Sequence, residues 1–183
     1  MRNIVFAALY TALAGLANPA VAQDLDGLRT GDMRKLIVHS ELARGSDVEF
    51  TGEDGSTMTM ADYEGKWVVL NFWATWCAPC RVEMPHLSQL QTDFGGDDFE
   101  VVTIATGRNQ PQAMQAFLDE IGVDNLPLHT DPRQALARDF GVLGLPVTVI
   151  LTPDGQEFAR LQGEADWSAP EAYAVFEALL ASD

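Results

Sequence analysis

The chain holds two cysteines, and only two residues separate them, in Trp76-Cys77-Ala78-Pro79-Cys80. A Cys-x-x-Cys pair at the start of a helix can open and close a disulfide, passing two electrons to or from another protein's thiols through a mixed disulfide. A bridge across two residues closes almost no loop and so stabilises little. Half of a zinc site is the other structural use, but no second Cys-x-x-Cys or His-x-x-x-His completes it. Exchange chemistry is therefore the first reading. Cys77 is expected to attack, because unsatisfied N–H groups and the macrodipole at a helix N-terminus favour a thiolate and lower the thiol from its usual pKa of about 8.5. Trp76 is expected to shield one side of that sulfur. Cys80, one turn on, is expected to be more buried and to act second, resolving the mixed disulfide. Neither Ala78 nor Pro79 carries charge, and no histidine stands between the cysteines, which points toward a reductant. Arg81 could offset part of that, or be a solvated helix residue. Glu83 lies one turn beyond Cys80, near enough to approach the pair; the alternative is a helix-surface acid. Pro85 removes the N–H that would bond to Arg81 and should kink the helix.

The elements that must position this pair are legible in the hydropathy pattern. Trp67–Phe72 is a nearly continuous apolar run, suited to a central strand covered on both faces. The helix after it begins at the cysteine motif and runs to Phe94, with Met84, Leu87, Leu90 and Phe94 on its buried face. Phe99–Ala105 reads as the next buried strand. Pro111–Ile121 reads as a helix burying Ala113, Met114, Phe117, Leu118 and Ile121, stopped by Gly122. Leu126–Thr130 reads as a short strand. Asp131-Pro132 reads as an N-cap with proline at the first helical position, and Gly141 as the end of that helix. Val147–Leu151 and Glu157–Gln162 flank the turn Pro153-Asp154-Gly155, and Ser168-Ala169-Pro170-Glu171 reads as a capping box opening a last helix to Ala181. Earlier, Asp32–Ala43 reads as a short amphipathic helix burying Leu36, Ile37 and Leu42. Val48–Thr51 and Ser56–Met60 flank the hairpin signal Asp54-Gly55. His39, His86 and His129 are scattered and read as surface residues. Strands alternating with helices imply parallel pairing through right-handed crossovers, with the 147–162 hairpin adding antiparallel strands at one side.

The first residues read as an export signal. Arg2 supplies a positive start, the apolar run Ile4–Ala17 falls short of the ~20 residues a membrane span needs, and Ala20-Val21-Ala22 fits a small-x-small cleavage site. Cleavage after Ala22 is expected, with an uncleaved inner-membrane anchor as the alternative. Such cleavage removes Arg2 and no acid, taking the net charge from −16 to −17. That acidity argues against nucleic acid and anionic membrane surfaces as partners. Export would place the cysteines where disulfides persist.

Asn71-Phe72-Trp73-Ala74-Thr75-Trp76-Cys77-Ala78-Pro79-Cys80-Arg81, with Gly65-Lys66, Glu83-Met84-Pro85, Gly141-Val142-Leu143-Gly144-Leu145-Pro146 and Asp154-Gly155, resembles the thioredoxin-like TlpA/ResA family of envelope thiol-disulfide oxidoreductases. The likeness is strongest to its TlpA branch and includes Glu164-Ala165-Asp166-Trp167-Ser168. It covers residues 46–183, and the helix and strand between Pro111 and Thr130 resemble the insert that sets this group apart from plain thioredoxin. The resemblance implies an α/β thioredoxin-like fold: a mixed central sheet flanked by helices on both faces, with an N-terminal hairpin and a helix–strand insert. The implied layout is a signal peptide at 1–22, an extension at 23–45 and the thioredoxin-like domain at 46–183. Plain thioredoxins carry a buried acid six residues before the first cysteine, where this chain has Asn71. The resemblance implies that Glu83 takes over, moving protons to and from Cys80 and tuning both thiols. It also turns Leu145-Pro146 from a default trans turn into a cis bond against the disulfide. The Leu145 backbone would then pair with an extended partner segment, beside Trp76, Ala78 and Pro79.

The implied function is that of a periplasmic reductase. Its substrates would be cysteine pairs of apocytochrome c or of copper-centre assembly proteins of a terminal oxidase, and a membrane electron donor of the DsbD/CcdA type would recharge it. No bound cofactor or metal is needed. The chain departs from the family at Val147-Thr148-Val149, which replaces the usual small-hydroxyl pair and bears on partner recognition. A disulfide oxidase or isomerase would share fold and motif and differ only in potential. A copper chaperone would need Cys77, Cys80 and a histidine as a soft Cu(I) site, and the proline loop has no histidine. A thiol peroxidase would need an upstream proline with Thr75 and a lone cysteine.

Overall fold

Seven consecutive buried residues, Trp67–Trp73, form the strand on which the rest is built. In a computed structural model that describes residues 25–182, this strand, β4, pairs in parallel with β5 (Phe99–Thr106) and antiparallel with β7 (Val147–Leu151). The export signal expected at 1–22 lies outside the described residues. Alternate side chains of a strand point to opposite faces. Accordingly Trp67, Val69 and Trp73 enter one core with Met84, Leu87 and Leu90, while Val68, Leu70 and Phe72 enter a second core with Leu136, Ala137 and Phe140. Asn71 belongs to the first series, so its amide is directed toward the helix that carries the cysteines.

Among the described residues the sheet has eight strands in the order β1-β8-β7-β4-β5-β6-β2-β3. The remaining strands are β1 (Ile37–Ala43), β2 (Phe50–Thr51), β3 (Thr57–Met58), β6 (His129–Asp131) and β8 (Glu157–Gln162). Helix α1 (Ala78–Phe94) crosses from β4 to β5; α2 is Pro111–Ile121, α3 Ala135–Asp139 and α4 Pro170–Leu180. Helices α1, α2 and α4 bury side chains in one core and α3 in the other, so both faces are covered. The expected thioredoxin-like plan, a mixed sheet with an N-terminal hairpin (β2–β3) and a helix–strand insert (α2–β6), is the one observed.

Several expected elements differ in detail. Asp32–Ala43 is not a helix. Gly31–Lys35 makes a 3₁₀ turn, and Ile37–Ala43 is an edge strand paired antiparallel with β8. The free edge of β8 pairs with this segment at Ile37, Val38 and Ala43, across an irregularity between the last two, and strand geometry leaves Ile37 exposed at 56% while Leu36 is buried. Ala113 is exposed, because Met114, Phe117 and Leu118, with the half-buried Ile121, fill the contact of α2 with the core. The strand expected at Leu126–Thr130 is confined to His129–Asp131, since Pro127 has no N–H for a ladder. Pairing with β5 then holds Asp131 extended, so α3 begins only at Ala135. The Asp131 carboxylate still caps that helix from outside, accepting the N–H groups of Ala135 (2.8 Å) and Ala137 (3.0 Å). The capping box at Ser168 does not form. Ser168 donates to Asp166 instead, and α4 starts behind Ala169 with Pro170 in its first turn.

His129 is not a surface residue. It is buried against Phe50 and Tyr63, its Nδ1 accepts the Glu53 N–H (3.1 Å), and its Nε2 lies 2.8 Å from the Tyr63 hydroxyl. His39 sits 2.7 Å from the buried Glu157, which also receives a bidentate fork from Arg160.

Candidate active site

The cysteine pair stands where β4 gives way to α1. Thr75 is fixed there by Asn109, whose Oδ1 accepts both its N–H (2.9 Å) and its hydroxyl (3.0 Å). Cys77 is the N-cap of α1 in an extended conformation, Pro79 occupies the first turn, and Cys77 and Cys80 are joined in a disulfide. Proline is tolerated there because first-turn N–H groups have no partner within the helix. The Cys80 N–H donates to the Cys77 sulfur at 3.3 Å. Once the bridge is reduced, that N–H and the helix N-terminus favour negative charge on Cys77. Cys77 retains 6% exposure and Cys80 none, so an attacking partner meets Cys77 first. Trp76 is 67% exposed beside it. Ala78 is exposed and Pro79 half-buried.

Glu83 is wholly buried, which removes the alternative of a surface acid. Helical spacing puts it one turn from Cys80 on the inward face with Met84 and Leu87. Its Oε1 accepts the Asn71 Nδ2–H at 2.8 Å, and its Oε2 accepts the Trp167 Nε1–H at 3.2 Å. Asn71 stands directly across the sheet from Thr148 and donates to its hydroxyl at 2.9 Å. Burial pushes the Glu83 carboxyl up to about 7, against the hydrogen bonds from Asn71, Trp167 and the Ala165 backbone, which pull it down. A carboxyl in that range gives and takes protons near neutral pH.

Arg81 is neither simply solvated nor turned onto the cysteines. Its guanidinium lies 4.5 Å from the Phe117 ring centroid and 3.1 Å from a Glu120 oxygen. Pro85 lies inside α1. Pro146 follows a cis peptide bond after Leu145, as the resemblance implied. Leu145 packs half-buried against the core cluster that holds both cysteines, and Leu143 is 96% exposed. The Pro146 carbonyl is taken by Gly163, while no loop or turn backbone hydrogen bond engages Leu145 among the described residues.

Sequence reasoning named Asn71, Cys77, Cys80, Glu83 and Pro146, but linked neither Thr148 nor Trp167 to the acid. Thr148 was within reach of the strand register opposite Asn71. Nothing local links Trp167 to an acid 84 positions away. Among the described residues no group of three His, Cys, Asp or Glu side chains is placed to hold a metal ion, and no helix is long and apolar enough to cross a membrane. A cleft of about 480 Å³ opens at the other end of β7, lined by Arg44, Asp47, Glu64 and Asp154, away from the disulfide.

The AhpC/TSA family model matches residues 43–156. The thiol:disulfide interchange protein HelX of Rhodobacter capsulatus is 33% identical over 85% of this chain and 72% of its own length. The thiol-disulfide oxidoreductase ResA of Oceanobacillus iheyensis is 31% identical over 66% of this chain, and the match spans only 62% of the ResA length. A putative thiol:disulfide interchange protein DsbE from Chlorobium tepidum superimposes with a TM-score of 0.67 at 24% identity, over 76% of this chain and 96% of its own. That likeness concerns the fold.

Proposed function

This chain belongs to the AhpC/TSA family, and from that premise we propose that it is a thiol-disulfide oxidoreductase of the ResA and HelX kind, exported to the periplasm, where it reduces protein cysteine pairs. The observation that carries the reading is a Cys77–Cys80 disulfide at a helix N-terminus with a buried, protonatable Glu83 one turn behind it. The Cys77 thiolate attacks a partner disulfide, forms the Cys77–partner bond and expels one partner thiolate. Cys80 then gives its proton to the Glu83 carboxylate and attacks the Cys77 sulfur. The Cys77–Cys80 bond forms, the Cys77–partner bond breaks, and the second partner sulfur leaves as a thiolate that takes up a proton. The partner gains two electrons and this protein is left oxidised.

The half-buried Leu145 and the exposed Trp76, Ala78 and Leu143 offer a surface for an extended partner segment, which would add to the Leu145 backbone like a strand. The substrate class is the haem-attachment cysteines of apocytochrome c, or the cysteine pair of a copper-centre assembly protein, and a membrane donor of the DsbD/CcdA type returns the electrons. The uncharged Ala78-Pro79 and the absence of a histidine between the cysteines favour reduction over oxidation.

The test is the reduction potential of the purified protein, equilibrated against glutathione or dithiothreitol, followed by its rate on an oxidised Cys-x-x-Cys-His apocytochrome peptide. A potential near the thioredoxin value of about −270 mV with turnover of the peptide supports the assignment. A potential near the DsbA value of about −120 mV would make the protein a disulfide oxidant instead.

A further inference from the structure

Both oxygens of Glu83 face hydrogen-bond donors. Asn71 reaches Oε1 and Trp167 reaches Oε2. An indole N–H can only donate, so it suits a carboxylate and offers nothing to the O–H of a neutral acid. Asn71 could accept that O–H only by turning its amide over. Its NH₂ would then take the buried position where Oδ1 now has no partner among the described residues. Hydrogen bonding at Glu83 therefore favours the ionised form, against the burial that favours the neutral one; the Trp167 indole and the Ala165 backbone N–H are the donors that cannot change roles, and of these only the indole is a side chain.

Trp167 is delivered by the loop between β8 and α4, and that loop is tied to a segment distant in sequence. The Asp166 N–H donates to Asp32 Oδ2 at 3.0 Å, and Lys35 Nζ donates to the Glu164 carbonyl at 2.9 Å. Beneath these bonds Met33 and Leu36 are buried in the same core as Ala165 and Trp167. The Asp32–Lys35 ion pair is exposed and contributes little by itself. What it frames is the pair of bonds to the loop backbone.

We propose that Trp167 is a positioning residue for proton transfer at the cysteine pair: its indole N–H orients the Glu83 carboxylate and favours its charged form, and the turn Gly31–Lys35 with the Leu36 that follows it holds the indole in place. This rests on the reading of Glu83 as proton carrier given under Proposed function. The charge acting on Glu83 from the loop is Glu164, which opposes ionisation. Its own helix presents the two cysteines and, one turn on, His86, which approaches Asp166 (3.6 Å). Asn71 from β4 and Thr148 from β7 are uncharged.

The experiment uses the full chain with Trp167→Phe, which keeps the ring and removes the N–H. In the oxidised protein the cysteines do not titrate, so carboxyl ¹³C NMR follows Glu83 alone. In the reduced protein, the release of a Cys77-linked model peptide by Cys80 is timed across pH. The expected result is a Glu83 midpoint raised by at least about half a pH unit, a threefold gain in proton affinity. The midpoint of peptide release should rise with it, while the high-pH plateau stays at the wild-type rate. A purely structural role would lower the plateau and leave both midpoints in place. Asp32→Ala, which loosens the clamp and keeps the indole, should move the Glu83 midpoint in the same direction by less; it carries the test if the tryptophan variant does not fold. An unmoved Glu83 midpoint would overturn the role of Trp167 alone. A moved midpoint with an unaltered release profile would overturn Glu83 as the proton carrier, and this proposal with it.

Discussion

Glu83→Gln isolates the energetic consequence of placing an acid in the core. A carboxyl whose pKa is raised in the folded state binds more protons folded than unfolded, so its contribution to stability is fully present below the unfolded value and is lost as pH rises through the folded one. For Glu83 those limits are 4.5 and about 7. Integrating between pH 5 and pH 8 gives a loss of about 2–3 kcal/mol from this group. The glutamine variant lacks that term. It carries a different and constant penalty of about 1–3 kcal/mol, because its NH₂ must face the Asn71 or the Trp167 donor. Urea unfolding of the oxidised protein at both pH values separates the two effects, since the constant penalty cancels in the difference. Wild type relative to variant should lose about 2–3 kcal/mol from pH 5 to pH 8. A differential below about 0.5 kcal/mol, at equal denaturant slopes, would refute an elevated Glu83 pKa.

Three further outcomes follow from particular contacts. Cys77→Ser should abolish exchange, whereas Cys80→Ser should accumulate mixed disulfides with an oxidised substrate peptide, visible as adducts by non-reducing mass spectrometry; an adduct-free Cys80→Ser protein would contradict the order of attack. Arg160→Met should destabilise by about 1–3 kcal/mol in thermal or urea unfolding, because Glu157 is only 3% exposed and would lose its bidentate partner, keeping His39 alone. Burial works to raise the Glu157 pKa, yet the Arg160 and His39 bonds hold it below the usual glutamate value. Burial also lowers the His129 pKa below 6.5, so its contribution to stability is full above that value and is lost as pH falls toward the folded pKa. Imidazole NMR should show His129 still neutral at pH values where the imidazole of a free histidine peptide has begun to protonate, and co-titration with that peptide would show that the Tyr63–Glu53 cradle does not hold.

Chemistry and frame were legible because both are local. The cysteine spacing, the apolar run Trp67–Phe72 and the periodicity of α1, α2 and α4 depend on residues close together in the chain, as does the proline at 146 before a buried strand. The motif resemblance supplied what periodicity could not: the sheet plan, the cis bond and the weight given to Glu83 in place of Asn71. Local pattern failed where a distant partner supplied hydrogen bonds. Residues 37–43 carry enough apolar character for a helix, but the open edge of β8 was available, so they became a strand. His129 reads as polar and solvated until Phe50 and Tyr63 close over it. Asp131 reads as a cap at its own position, but its pairing with β5 displaced the helix it caps.

The sequence by itself determined that two thiols would meet at a helix N-terminus behind a buried strand, since three-residue spacing and apolar runs act within a few turns of backbone. Only the tertiary structure decided that Glu83 would be dry, that Asn71 and Trp167 would be its donors, and that the turn at Gly31–Lys35 would hold Trp167 there. Desolvation and hydrogen bonding depend on which surfaces the folded chain brings together. For Glu83 those surfaces come from β4, from α1 and from a loop near the C-terminal helix.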